Sequence, residues 1–140
     1  MTDAEIEKFL QKPRLAFLTS LRKNGAPLTI PLWFEWDGSV VRMFADAKSP
    51  KLQRLGRDPR ICVSVGNNLD EYESWVTFEG TVKIIESGGK DLALRLAKVY
   101  WDLSDPPRKQ AYQWWEEQKD SHFRQMELRP DKILSYAPGT

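Results

Sequence analysis

A chain of 140 residues and 16.3 kDa has the length of one domain, so a second catalytic domain is not expected. With 41% hydrophobic residues, 29% charged residues and 6 Trp, 6 Phe and 4 Tyr, it carries core material that disordered chains lack. The 21 basic and 20 acidic side chains leave a net charge of +1, too balanced for a protein held to nucleic acid mainly by phosphate neutralisation. Cys62, the one cysteine, cannot close an intramolecular disulfide, and with a single histidine no four-ligand zinc site forms without carboxylates. A polar first octet, Met1-Thr-Asp-Ala-Glu-Ile-Glu-Lys, and the lack of any apolar run of about 18 residues give the expectation of a soluble, cytoplasmic protein with no membrane partner.

Thr2 and Glu5 have the spacing of a capping box, and Ile6, Phe9 and Leu10 continue at helical intervals as far as Pro13. From Arg14 the period changes to two through Leu21, and Asn24-Gly25 supplies a hairpin turn. The next strand is predicted over Pro27 to Trp36, and Asp37-Gly38 turns it into another at Val40 to Ala45, giving three antiparallel strands in meander order. Ser49-Pro50 begins a short helix that Gly56 can end, and a strand follows at Arg60 to Val65. A longer strand is expected from Ser74 to Glu86, with Gly80 marking a bulge or a sharp bend. Gly88-Gly89 opens a helix on which Leu92, Leu96, Val99 and Leu103 recur, and Pro106-Pro107 separates it from a second helix over Arg108 to Lys119. A final strand pair is predicted in His122 to Leu128 and Lys132 to Tyr136. Without regular βαβ alternation, the order predicts a mainly β domain spanning 1–140, an antiparallel barrel with peripheral helices.

Chemistry concentrates first in Asp46-Ala-Lys-Ser-Pro-Lys51, a loop running into a helix start. Unpaired N–H groups there, with Lys48, Ser49 and Lys51, suit a phosphate. On spacing alone Ser49 could equally be a plain cap and the lysines solvated. Residues 42–60 hold six cations against two acids, a local excess open to an anionic ligand. The second feature is Pro27-Leu-Thr-Ile-Pro-Leu-Trp-Phe. Pro31 has no N–H for a ladder, so one neighbour is missing or interrupted there, leaving backbone groups for a flat heterocycle near Trp33, or simply marking a barrel edge.

Gly25-Ala-Pro-Leu-Thr-Ile-Pro-Leu-Trp-Phe, an Asp-Gly turn, Ala47-Lys-Ser-Pro-Lys-Leu-Gln-Arg-Leu-Gly-Arg-Asp-Pro-Arg and Trp75-Val-Thr-Phe-Glu-Gly follow one another in order. This arrangement resembles the FMN-binding split β-barrel of the pyridoxamine 5'-phosphate oxidase-like superfamily over roughly residues 8–86, with weaker similarity at Leu128-Arg-Pro-Asp-Lys-Ile. The resemblance implies a flavin-dependent oxidoreductase acting on a small molecule, and a homodimer with two flavin sites at the subunit interface. It assigns the isoalloxazine contacts to Thr29, Ile30, Pro31, Leu32 and Trp33 and to Phe44 and Ala45, the phosphate to Ser49 and Lys51, and a further flavin contact to Trp75. No side chain is required as a nucleophile. Pro50 stands where the oxidase proper has a basic residue, so Lys48 is the expected substitute. The oxidase's C-terminal substrate-binding segment has no counterpart, which argues against pyridoxamine phosphate as substrate.

Some members of that superfamily bind the deazaflavin coenzyme F-420 or haem, and the motifs do not separate an FMN enzyme from a deazaflavin-dependent reductase or a non-catalytic flavin or haem carrier. An acidic coenzyme tail would need a basic groove, for which the acid-free stretch 12–34 offers Lys12, Arg14, Arg22 and Lys23. His122 reads as an ordinary surface or strand residue, Cys62 as a packed thiol, and Trp114 and Trp115 as helix-to-barrel or dimer packing.

Overall fold

The computed structural model describes residues 1–139. The capping box forms as its spacing predicts: the Thr2 hydroxyl accepts the Glu5 N–H at 3.2 Å and the Glu5 carboxylate accepts the Thr2 N–H at 3.0 Å. The helix it starts, α1 (Asp3–Leu10), buries Ile6 and Leu10. Strand β1 (Ala16–Leu21) turns through Gly25, whose φ of +85° favours glycine, into β2 (Pro27–Leu32). Then come β3 (Glu35–Trp36), β4 (Val41–Asp46), α2 (Pro50–Arg57), β5 (Arg60–Gly66) and β6 (Trp75–Ile85). The chain ends with α3 (Gly89–Tyr100), α4 (Pro106–Glu117), a 3-10 turn at Asp120–His122, β7 (Phe123–Leu128) and β8 (Lys132–Tyr136).

Strands are ordered β2-β1-β5-β6-β7-β4-β3, all neighbours antiparallel, with β8 also on β6. The expected meander of three strands does not form, because β4 pairs with β3 and β7 and not with β2. Nor is Pro27 to Trp36 continuous. Phe34 turns into the core, 4% exposed, while the neighbouring Trp33 ring stacks on Tyr100 with centroids 5.1 Å apart. The Phe34 N–H donates to the Tyr100 hydroxyl at 3.4 Å and not to a neighbouring strand, which interrupts the ladder, and β2 and β3 finish at opposite ends of the strand order. The last two strands are present but do not pair with each other: β7 takes Val82 to Ile85 of β6 and β8 takes Trp75 to Glu79.

Gly80 stands between those two pairings. A Cβ there would lie 2.9 Å from Leu128 Cδ1 and 3.3 Å from the Arg129 carbonyl and the Asp131 nitrogen. The β5–β6 register runs through it without a break, so Gly80 marks no bulge but the close approach of the 128–131 segment. Helix α2 passes through Gly56 to Arg57 and stops at Asp58-Pro59, where proline disfavours a helical residue before it. α3 ends at Tyr100, short of Leu103, and α4 begins at Pro106, capped by the Asp105 carboxylate on the Arg108 N–H.

The barrel interior is filled by alternate residues of both sheet halves, among them Leu18, Met43, Val63, Phe78, Met126 and Leu128, all under 2% exposed. Phe78 packs its ring 4.7 Å from Trp36, and truncating such a side chain to alanine costs about 3–5 kcal/mol. The opposite face of β1, β5, β6 and β8 is open. The register aligns Pro31, Phe17, Ser64, Thr77 and Leu134 in one row across it, and Phe17 and Trp75 are 44% and 41% exposed. Among the described residues no helix is long and apolar enough to cross a membrane.

Candidate functional site

The strand path does not close on itself. Among the described residues β2 pairs only with β1, and beyond Val41 and Arg42 the β4 edge that faces away from β7 has no partner strand. Pro31 is tolerated on β2 because no second ladder asks for its missing N–H. Between the two edges lies an open cleft of about 360 Å³, lined by Leu32 and Trp33 on one side and by Phe44, Ala45 and Asp46 on the other. Lys51 from the first turn of α2, Trp101 and Trp115 complete its lining.

The walls are aromatic. Trp33 stacks on Tyr100 with planes 5° apart and meets Trp101 edge-on at 4.9 Å; Trp101 stacks on Trp115 at 5.1 Å, and Trp115 meets Phe44 edge-on at 5.6 Å. The Tyr100 hydroxyl donates to the Arg14 carbonyl at 2.6 Å, which fixes the ring beneath Trp33. Apart from the Asp46 carboxylate and the Lys51 ammonium, the surface offered is flat and apolar, as small-molecule clefts commonly are.

Lys51 is half-buried and no carboxylate lies within ion-pair distance of it among the described residues. Burial, and after it the nearby Arg54 guanidinium, holds its ammonium below the ordinary lysine value. Ser49 occupies the N-cap position of α2 without a side-chain capping bond, so its hydroxyl is not committed to the helix. The loop before it is pinned by Asp46, whose Oδ1 accepts the Lys48 N–H at 2.8 Å and whose carbonyl accepts the Ser49 N–H at 2.9 Å. The Lys48 side chain is exposed beside this loop.

Of the residues singled out in the sequence, the fold therefore gathers Leu32, Trp33, Phe44, Ala45 and Lys51 around one cleft, with Lys48 and Ser49 on the adjoining loop. Ile30 packs toward the core. Thr29 and Pro31 are exposed, and the Thr29 hydroxyl lies 2.7 Å from that of Thr19. Trp75, the first residue of β6, pairs with Gly66 and Tyr136 three strands across from β2 and does not line the cleft within one chain.

Trp101 and Asp46 were not foreseen as cleft residues, and Trp115, read as packing, does pack on Phe44 and Phe123 but also lines the cleft. The signal for the tryptophans was weak: only the Pro106-Pro107 break between two helices suggests that Trp101 and Trp115 fold back on each other. The basic groove sketched from stretch 12–34 does not assemble. Arg14 is 4% exposed and, with Lys12, engages Glu71, leaving Arg22 and Lys23 exposed at the hairpin tip.

An antiparallel barrel left open between two edge strands, with an aromatic cleft and an unpaired lysine at the opening, is a split barrel. The family model for pyridoxamine 5'-phosphate oxidase matches residues 2–135, and the chain belongs to that family. Among solved structures it is similar to an F-420 reductase, with 24% identity over 91% of this chain and 94% of the other, and a TM-score of 0.72. It is also similar to the general stress protein 26 of Bacillus anthracis (22% identity, 95% and 92% covered, TM-score 0.67). A heme binding protein of Mycobacterium smegmatis matches all of this chain but 56% of its own length, with 17% identity and a TM-score of 0.66. At these identities the likenesses establish the fold alone. No curated protein matches the chain.

Proposed function

We propose that this protein is an FMN-dependent oxidoreductase that works as a homodimer on a small-molecule substrate, with the flavin in the cleft between β2 and β4. The observation that carries this reading is the half-buried Lys51 ammonium, without an acidic partner, at one end of a cleft whose other walls are Trp33, Phe44, Trp101 and Trp115. A flat heterocycle with a phosphate tail matches that donor set: stacking surface for the ring, and a cation with helix N–H groups for the anion. Leu32, Trp33, Phe44 and Ala45 would hold the ring, and Lys51, Ser49 and Lys48 the phosphate, Lys48 standing in for the basic residue that Pro50 replaces. Bound FMN supplies the electron-accepting chemistry; the chain supplies orientation and electrostatics. Thr29, Pro31 and Trp75 stand on the open sheet face, where a second subunit would bring them toward a shared site.

The test is binding of FMN and riboflavin to wild type and Lys51→Ala. A charge-assisted hydrogen bond contributes about 1.5–3 kcal/mol, so the variant loses FMN affinity by roughly tenfold or more. Riboflavin, which lacks the phosphate, changes little. Equal losses for both ligands overturn the phosphate assignment. Tighter binding of the deazaflavin coenzyme than of FMN, weakening with salt as its acidic tail is screened, overturns the choice of coenzyme, and a haem spectrum in freshly purified protein overturns both.

A further inference from the structure

The only histidine of the chain lies next to the cleft without lining it. His122 Nε2 is 3.0 Å from Asp46 Oδ2, and Asp46 is the one carboxylate on the cleft wall. The same carboxylate, through Oδ1, accepts the Lys48 N–H, and its carbonyl accepts the Ser49 N–H. Asp46 thus shapes the turn that carries Lys48, Ser49 and Lys51. A second tie runs through the backbone, where the Ala47 N–H donates to the His122 carbonyl at 2.9 Å. The imidazole is itself held in place: Trp114 meets it edge-on at 5.3 Å and Phe123 at 5.0 Å, and its side chain is 31% exposed. Nothing in the fold requires an imidazole there for packing, since two-thirds burial between aromatic rings would suit an apolar side chain as well.

We infer that His122 is a positioning residue for the phosphate: through Asp46 it fixes the 46–51 turn so that Ser49 and Lys51 meet the anion in one arrangement. A ligand contact held in a ready geometry avoids the ordering cost a loose loop would impose on binding. This inference rests on the FMN reading above and adds a residue that does not touch the ligand. It requires that His122 matter for the phosphate-bearing ligand and not for the ring alone, and that Asp46 transmit the effect.

The experiment measures FMN and riboflavin affinity for wild type, His122→Ala, His122→Gln, Asp46→Ala and the double variant His122→Ala/Asp46→Ala. Losing one polar contact of ordinary strength weakens FMN by about three- to tenfold in His122→Ala, while riboflavin stays within about twofold. Glutamine, with an amide N–H in place of the ring nitrogen, recovers most of the loss. The double variant loses no more than Asp46→Ala alone, because the two residues act in series. Unchanged FMN affinity in His122→Ala, equal losses for both ligands, no recovery with glutamine or additive losses in the double variant would each overturn the inference. Should His122→Ala not fold, the glutamine and Asp46 variants carry the same comparison. Lys51→Ala separates the two levels: if it abolishes the preference for FMN while His122→Ala does not, only this inference falls; if it leaves the preference intact, the phosphate reading falls and this inference with it.

Discussion

Arg14 and Glu71 face each other as a two-pronged ion pair across 57 residues of sequence, Nη2 to Oε2 at 2.9 Å and Nη1 to Oε1 alongside. The rest of the guanidinium is tied to α1. Its Nε donates to the Phe9 carbonyl at 2.8 Å and its plane lies 3.9 Å from the Phe9 ring centroid. Glu71 in turn accepts the Asn68 N–H at 2.8 Å, so the pair fastens the β5–β6 loop to the end of α1. Arg14, and then the Asn68 N–H, hold the Glu71 carboxyl well below its ordinary value of 4.5. A carboxylate depressed on folding contributes stability that is present above its unfolded value and is lost as pH falls toward the folded one. Glu71→Gln is therefore less stable than wild type at pH 7, and the gap narrows below pH of about 4.5. Denaturant midpoints taken down the pH range check this, and a gap independent of pH refutes it. Asp37, held at about 2 chiefly by Arg42, and Asp58, held at about 2 chiefly by Arg60, keep an acid limb in the variant.

Two glycines in helical segments respond oppositely to alanine. At Gly89, the first residue of α3, a Cβ would lie 2.8 Å from Phe123 Cβ and 2.9 Å from the Arg124 nitrogen, and backbone of a central strand cannot give way. Gly89→Ala costs about 1–3 kcal/mol as overpacking. At Gly56, inside α2, a Cβ meets nothing within 4 Å, and Gly56→Ala stabilises by about 0.4–1 kcal/mol by restricting the unfolded chain. Thermal or denaturant unfolding of both variants checks the two signs together.

Alkaline pH weakens FMN through Lys51. Burial and Arg54 lower its folded value from the ordinary 10.5, so the charge proposed to hold the phosphate is lost as pH rises, earlier than for an exposed lysine. Lys51→Arg keeps its charge over the whole range. The ratio of wild-type to Lys51→Arg dissociation constants rises with pH below 10.5; a flat ratio contradicts the role given to Lys51.

The open face of β1, β5, β6 and β8 presents Leu15, Phe17, Trp75, Leu134 and Tyr136, each more than a third exposed. Apolar and aromatic residues so grouped mark an interaction surface, the one the proposed homodimer would use. Phe17→Glu places a charge in the centre of that face opposite Pro31 and Ser64. The variant sediments as a monomer and binds FMN weakly while keeping the wild-type far-UV circular dichroism spectrum. A wild-type protein that is monomeric with flavin bound refutes the shared site.

Much of the local structure was legible in the residues themselves. Thr2 and Glu5 capped α1, Asn24-Gly25 and Asp37-Gly38 made their turns, and Ser49-Pro50 began α2, because each of these signals acts within a few residues of backbone. The ordered motifs between Gly25 and Gly80 also sufficed for the family. Strand partners were another matter. A period of two decides which side of a strand faces the core and says nothing about which strand lies beside it, so the meander gave way to the pairing of β4 with β7, and the β7–β8 pair to separate pairings on β6. Pro27 to Trp36 alternated without a flaw and still broke after Leu32, since only the packed molecule supplies the Tyr100 hydroxyl that takes the Phe34 N–H out of the ladder. The same holds for Arg14, whose burial against Glu71 took it out of the basic groove, and for His122, an isolated polar residue in sequence that folding brings to Asp46. Local chemistry set the elements and their turns; contacts between distant segments, which exist only once the core has closed, determined the cleft.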